Sequence, residues 1–214
     1  MVVKIKSKAY KRMQAFGKKM KDKEIGGLIL GEINETTGNV IVKDVIILKQ
    51  YYDDSNFEIK DEALMDITKE WDGKKLKSVL GWWHSHNTGS TYWSGNDSGT
   101  FRRLCDLSNF CLGIVVAFPK HKDTMDLRCR LDIKDRMKQY ISIDDIKPVI
   151  IVPKKKLKFF GYNWDDIDTE IQENVEEDKR VFVICKHCQG QGMVEAEPYA
   201  EDPNDLYQYN PLVG

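Results

Sequence analysis

Short apolar runs bounded by turn residues constrain the fold of this chain more than any other feature. The clearest is CLGIVVAF, residues 111–118, which ends at Pro119 and predicts a buried strand. Two further runs, 25–30 and 40–48, flank the turn-forming residues 34–39 and therefore predict a β-hairpin. A chain that buries several such strands needs other elements to cover them.

Helical periodicity fills the intervals between these runs. Ala9, Met13, Phe16 and Met20 recur at helical spacing among lysines, so we predict an amphipathic first helix over residues 7–21. Further helices are predicted over residues 61–71, 94–108 and 164–179. Further strands are predicted over residues 57–59, 76–83, 127–133 and 181–184.

This succession of elements predicts a mixed α/β or α+β domain over residues 1–160. An acidic helix and a cysteine-containing turn follow in residues 161–194, and we expect residues 195–214 to be a mobile acidic tail. Hydrophobic residues make up 41% of the chain, which excludes a fully disordered protein. The length of 214 residues is ample for one closed core with an extension.

The sequence lacks the patterns typical of membrane and secreted proteins. No apolar stretch reaches the roughly 18–20 residues that cross a bilayer, and the opening MVVKIKSKAYKR has no apolar signal core. The five cysteines form no even framework, which favours a reducing compartment with free or metal-bound thiols. We therefore expect a cytoplasmic protein without a membrane partner.

Charge is distributed unevenly, although the formal net charge is only -1. Residues 1–23 contain nine Lys or Arg and one Asp, whereas residues 165–214 contain three Lys or Arg and thirteen Asp or Glu. Solvated helix faces, docking of the two segments on each other and binding of a partner all account for this pattern. Nucleic-acid binding is not favoured, because the basic residues lack interleaved aromatic side chains.

The segment GWWHSHNTGSTYWSGND, residues 81–97, has the clearest chemical meaning. It begins in a predicted apolar strand and leaves that strand at His84-Ser85-His86. Residues i and i+2 project from the same face of an extended chain, so both imidazoles can face one object just past the strand's end.

A polar loop leads from His86 to a helix that opens at Ser94, with Asp97 in its first turn. If the loop folds back, two imidazoles and a carboxylate form a natural three-ligand set for zinc. Three protein ligands leave a fourth position for water, which implies a catalytic site. Tyr92 and Trp93 lie in the loop between the ligands, so we expect both near a substrate cleft.

Hydrolysis by zinc-activated water also requires a base that accepts a proton and later delivers it to the leaving group. Glu24, immediately before the apolar run IGGLILG, is the favoured candidate. Glu32 and Glu35 are nearby acidic alternatives.

The pattern H-x-H-x7-S-x-x-D, with EIGGLILG upstream, resembles the JAMM (MPN+) family of zinc metalloproteases over about residues 5–133. The resemblance implies an MPN-type, mostly antiparallel sheet flanked by helices. It further implies that His84, His86 and Asp97 bind Zn²⁺. Glu24 would then be the general acid/base, and the Ser94 hydroxyl would stabilise the oxyanion.

One position departs from the family pattern. Many members have Pro after the second histidine, where this chain has Asn87. The change leaves the loop more flexible but removes no metal ligand.

The segment from Cys185 to Gly192, CKHCQGQG, resembles the C-x-x-C-x-G-x-G knuckle of zinc modules such as those of DnaJ chaperones. Zinc generally needs four ligands, and the usual second cysteine pair is missing here. His187 lies between Cys185 and Cys188 and is badly placed to join them. An unliganded turn, a second structural zinc and a zinc that bridges a homodimer all stay open.

The family resemblance implies a peptidase or isopeptidase that cleaves after the C-terminal Gly-Gly of ubiquitin or a ubiquitin-like protein. Relatives also process sulfur-carrier proteins or cell-wall peptides. A second hypothesis is a scaffold within a complex, whose activity depends on a partner. The complete ligand set favours an enzyme.

Overall fold

The structure of the protein is a computed structural model. It describes residues 1–20, 23–34, 36–52, 56–120, 124–135, 137–151, 163–179, 181–184 and 193–196. The chain divides into two compact units, Met1–Glu177 and Asp178–Gly214. Among the described residues, no helix is both long and apolar enough to span a membrane.

The elements of the first unit alternate in type along the chain, as the sequence predicts. In chain order they are β1 Val3–Lys6, α1 Ser7–Met20, β2 Gly26–Asn34, β3 Asn39–Ile47, β4 Gln50–Tyr52, β5 Phe57–Ile59, α2 Asp61–Glu70, α3 Gly73–Leu76, β6 Val79–His86, α4 Gly95–Ser108, β7 Phe110–Ala117, β8 Asp126–Lys134, β9 Tyr140–Ile146, β10 Val149–Ile151, α5 Trp164–Asn174 and β11 Val175–Glu177. In the second unit, β12 Val181–Ile184 and β13 Met193–Ala196 pair antiparallel.

One large sheet has the strand order β10-β1-β3-β2-β6-β7-β8-β9. Its neighbours are parallel at β10–β1, β1–β3 and β6–β7, and antiparallel elsewhere. A smaller sheet has the order β11-β4-β5. The predicted mixed α/β class, with a mostly antiparallel sheet and flanking helices, is therefore confirmed.

The two tryptophans of β6 show how the large sheet is covered on both faces. Successive strand residues point to opposite faces. Trp83 is fully buried and stacks on Phe16 of α1, with ring centroids 5.8 Å apart. Trp82 points to the other face and packs edge-on against Phe101 of α4, at 5.8 Å. Helices α1 and α4 thus cover opposite faces of the central strands.

Most of the predicted elements are confirmed, and the main difference concerns β6. The sequence predicts that the apolar strand ends at residue 83, whereas β6 continues through His86. Its last residues pair in parallel with β7, up to His86 beside Ala117. The histidines therefore belong to the strand itself, because β7 supplies backbone partners that the local sequence does not reveal.

The acidic helix α5 packs on the basic helix α1 within the first unit. Arg12 of α1 donates two hydrogen bonds to the Glu170 carboxylate, at 2.6 and 2.8 Å, and Lys19 pairs with Asp168. Ile167 is only 3% exposed and joins the main core. These contacts hold α5 against α1, and the compact unit that contains them extends to Glu177. The predicted domain boundary at residue 160 lies outside the described residues and stays a prediction.

Candidate metal centre

Strand β6 presents His84 and His86 on one face of the sheet, as their i, i+2 spacing predicts. Both imidazoles are buried, with residue exposures of 1% and 6%. The Nε2 atoms of the two rings lie 3.0 Å apart. His84 also stacks on Trp82, with ring centroids 4.5 Å apart. The two imidazoles therefore converge on one point instead of extending into solvent.

Helix α4 brings the third side chain to this point. Ser94 is its N-cap, and the Asp97 backbone N–H donates to Ser94 Oγ at 3.1 Å. The Ser94 backbone N–H in turn donates to Asp97 Oδ2 at 2.7 Å. This capping box fixes both the start of the helix and the orientation of the carboxylate.

The distances between the ligand atoms of the three side chains are close to those around one tetrahedral metal ion. Asp97 Oδ1 lies 3.3 Å from His84 Nε2, and Asp97 Oδ2 lies 3.8 Å from His86 Nε2. Ligand atoms about 2.0–2.1 Å from a tetrahedral ion lie about 3.3–3.4 Å from one another. His84, His86 and Asp97 can therefore hold a metal ion together.

Hydrogen bonding sets the tautomer of His86. Its Nδ1 atom lies 2.9 Å from the Ser90 carbonyl oxygen, which can only accept. Nδ1 therefore carries the proton, and Nε2 presents a lone pair to the site. The buried Nδ1 of His84 has no hydrogen-bond partner among the described residues.

Burial and charge fix the protonation states of the cluster. Burial lowers the pKa of His84 to about 3, in spite of the neighbouring Asp97 carboxylate. Desolvation opposes ionisation of Asp97, but the neighbouring His86 and His84 rings and the two hydrogen bonds with Ser94 lower its pKa to about 2. A neutral His84 beside an ionised Asp97 is the donor set that a divalent cation requires.

The protonation of His86 is set by the surrounding acids. Desolvation acts to lower its pKa, but the Asp97 and Glu24 carboxylates and the Ser90 carbonyl together outweigh burial and raise it. Glu24 therefore lies close enough to interact electrostatically with His86. The half-buried Glu24 stands just before β2, whose Gly26 pairs with His84 of β6.

The other acidic candidates lie elsewhere or outside the described residues. Glu32 is exposed toward the far end of β2 and pairs with Lys43. Glu35 lies outside the described residues. Among the described acids of this segment, Glu24 is thus the one whose charge acts on the cluster.

Besides Trp82, three further aromatic side chains line the cluster. The Tyr92 ring lies 5.3 Å from His86, and the Trp93 ring lies 6.0 Å from His84. Tyr92 is 51% exposed, whereas Trp93 is half-buried and donates from Nε1 to Asp144 Oδ1 at 2.8 Å. Both residues lie beside the histidines, and their place in a substrate cleft stays a prediction.

Phe57 is the third aromatic neighbour, and sequence reasoning missed it. Its ring lies 6.0 Å from His84 and 5.7 Å from Trp82. The short FEI strand is predictable, but its position beside β6 depends on long-range folding. Gly26 makes room for this ring, because a Cβ at Gly26 would lie 2.4 Å from a Phe57 ring atom.

The structure describes three of the five cysteines. Cys105, Cys111 and Cys129 are free and buried, which agrees with the expectation of reduced thiols. Cys185 and Cys188 lie outside the described residues. A second zinc at these two cysteines therefore stays a prediction.

Comparison with known proteins identifies the family. Residues 6–130 match the family described as prokaryotic homologs of the JAB domain. Comparison with curated proteins gives no match. The chain is similar to the solution structure of protein DSY2949 from Desulfitobacterium hafniense, at 17% identity and a TM-score of 0.45, over 71% of this chain and 93% of that chain. The family match spans more than half of the chain and includes the His84, His86 and Asp97 cluster, so this chain belongs to the prokaryotic homologs of the JAB domain.

Proposed function

We propose that the protein is a JAMM-type, zinc-dependent peptidase or isopeptidase that hydrolyses an amide bond. The observation that carries this proposal is the convergence of His84, His86 and Asp97 at spacings suited to one tetrahedral ion. Three protein ligands leave a coordination position open, as in catalytic zinc sites. Glu24 adds an acid beside the cluster, at the end of the neighbouring strand.

The residues divide the chemistry among them. His84, His86 and Asp97 would hold the zinc ion, which when bound would supply activation of water and polarisation of the scissile carbonyl. Glu24 accepts the proton of the attacking water and returns it to the leaving amine. The Ser94 hydroxyl accepts from Asp97 N–H, and its own O–H remains available to donate to the oxyanion.

We propose that the substrate is the C-terminal Gly-Gly tail of ubiquitin or a ubiquitin-like protein. This choice rests on the family resemblance and on the aromatic lining of the site. Phe57, Tyr92 and Trp93 surround the histidines, so a chain without side chains approaches the cluster with the fewest clashes. A glycine tail can also adopt an extended conformation beside a strand.

The test is cleavage of purified fusion proteins that carry ubiquitin-like domains, with sulfur-carrier fusions and cell-wall peptides as alternative substrates. Cleavage that stops with a chelator and returns with zinc supports the metallopeptidase. Glu24→Gln tests the role of the proposed acid/base, and Glu32→Gln, which changes another acid of the same segment, is its matched control. Equal cleavage by both variants would overturn the role of Glu24.

The same experiment distinguishes an enzyme from a scaffold protein that has no activity of its own. If the protein binds one zinc but cleaves no member of the panel, alone or with a partner protein or second copy added, the peptidase proposal fails. Cleavage of one substrate class only would identify that class as the substrate.

A further inference from the structure

Gln50 is a fully buried polar side chain close to the Glu24 segment. It is 0% exposed and contacts the backbone of Gly26 with both ends of its carboxamide. Gly26 N–H donates to Gln50 Oε1 at 3.0 Å, and Gln50 Nε2 donates to Gly26 O at 2.8 Å. Nε2 also donates to Leu48 O at 2.8 Å. Burying an amide costs desolvation free energy, which these three hydrogen bonds offset, and the bonds in turn fix the positions of the groups that they join.

The Gln50 carboxamide takes the place of the backbone groups that β3 does not provide beside Gly26. Pairing of β2 with β3 begins at Gly27, opposite Ile47, so Gly26 has no β3 partner in the register. In an antiparallel strand, alternate residues direct their N–H and C=O groups to opposite sides. Ile25 bonds toward β6, and Gly26 therefore bonds away from it. A primary amide offers the donor and acceptor that a β3 residue would have offered.

Ser85 holds the preceding residue from the opposite side. Ser85 N–H donates to Ile25 O at 2.8 Å, and Ile25 N–H donates to Ser85 Oγ at 3.1 Å. The two residues that follow Glu24 are thus fixed from β6 by Ser85 and from β4 by Gln50. The direction in which the chain presents Glu24 depends on both contacts.

The C-terminal part of the first unit supports the strand that carries Gln50. Strand β4 lies between β5 and β11, and Gln50 pairs with Ile59 on one side and Val175 on the other. Lys60, next to β5, forms an ion pair with Glu176 of β11 at 2.8 Å. Strand β11 lies beyond residue 130, where the family match ends.

We propose that Gln50, held in β4 by β11, is a positioning residue that sets the backbone geometry of Glu24. The proposal rests on the proposed function for the catalytic role of Glu24. The placement of the Gly26 backbone by Gln50 does not depend on that role. Gln50 touches neither the histidines nor Asp97 through any hydrogen bond of the described structure.

The first test measures backbone order without a substrate. Gln50→Met has similar length but removes all three hydrogen bonds. In the full-length, zinc-loaded protein, we expect amide hydrogen exchange at Gly26 to rise about tenfold, while Ser85 N–H, bonded to Ile25, changes far less. Zinc stoichiometry should remain unchanged. Unchanged exchange at Gly26, or loss of zinc, would overturn the proposal.

A matched core variant separates positioning from general destabilisation. Val40→Ala removes buried side-chain volume from β3 at the end away from Gly26. When each protein is measured equally far below its own melting temperature, Val40→Ala should leave amide exchange at Gly26 the same as in the wild type. If Gln50→Met does not fold, Gln50→Glu takes its place, because a carboxyl group retains the shape and the acceptor but can donate at most one of the two bonds that Nε2 donates.

The second test uses turnover of whichever substrate the wild type cleaves. Gln50→Met should lower kcat about tenfold or more with little change in KM, and it should have no further effect in a Glu24→Gln background. Full additivity of the two substitutions would overturn a positioning role. Failure of the wild type to cleave would instead count against the proposed function, and the exchange experiment would still decide the role of Gln50.

Discussion

Ser94 and Asp97 orient each other across the first turn of α4. The Ser94 N–H donates to Asp97 Oδ2 at 2.7 Å, and the Asp97 N–H donates to Ser94 Oγ at 3.1 Å. The same carboxylate presents Oδ1 to His84 at 3.3 Å. One local motif therefore fixes a helix terminus, a candidate ligand and a candidate oxyanion donor together.

Ser94→Ala should affect both stability and turnover. Loss of the N-cap should lower the free energy of unfolding by about 1 kcal/mol. Loss of the hydroxyl donor should lower kcat by about 10²–10³. Ser108→Ala, at the other end of α4, is the matched control for thermal unfolding and cleavage rates. A rate loss no larger than that of the control would show that Ser94 acts as a cap alone.

Asp97→Asn should separate the capping role from metal binding. The amide oxygen can still accept from Ser94 N–H, so the helix start should be retained. The neutral side chain is a poor zinc ligand, so zinc affinity should fall at least about 100-fold. Zinc content after dialysis, with the α4 variant Asp106→Asn as control, measures the change. Full zinc occupancy in Asp97→Asn would refute the ligand assignment.

Zinc affinity should decrease as the pH falls, because a proton competes for His86. The carboxylates of Asp97 and Glu24 raise the pKa of His86 above its ordinary value, so its imidazole is protonated below that pKa. Below that pKa zinc must displace one proton, and affinity should fall by up to about tenfold per pH unit. The pKa of His84, lowered to about 3, adds no competing proton near neutrality. Competition titrations from about pH 8 to 6 check this slope, and a flat profile would contradict it.

Glu24→Gln should retain zinc and lose turnover. The amide preserves the shape of the side chain but cannot accept a proton from water, so kcat should fall by at least about 10². Glu32→Gln, at the exposed end of β2, should cleave at the wild-type rate. Zinc content and cleavage rate are measured on the same preparations. Near-wild-type turnover of Glu24→Gln would assign the proton transfer to another group.

The part of the site that sequence predicts is local. His84 and His86 share a face because strand periodicity is two, and Ser94 and Asp97 form a capping box within one helical turn. Glu24 is predicted from its place before an apolar strand and from the family resemblance, but its approach to His86 depends on the long-range pairing of β2 with β6. Gln50 and Phe57 carry no local signal, because their roles arise where separate strands meet.

The fold shows the same division between local and long-range causes. Amphipathic periodicity predicts α1, the capping residue Ser94 predicts the start of α4, and apolar runs predict β2, β3 and β7. The edge strands β9 and β10 are not predicted, because their largely exposed residues lack the pattern of a buried strand. The predicted end of β6 is three residues too early for a related reason, since the last three residues of the strand gain strand partners from β7.

Ile167→Ala should show that α5 belongs to the folding unit of the candidate metal centre. Ile167 is 3% exposed in the main core, so its truncation should lower the free energy of unfolding by about 2–5 kcal/mol. Leu107→Ala, at a position 85% exposed on α4, should change it by no more than about 0.5 kcal/mol. Urea unfolding of the full chain, followed by fluorescence and circular dichroism, measures both variants. If Ile167→Ala costs no more than Leu107→Ala, then α5 contributes little to this core, and a first domain that ends at residue 160 would be the better description.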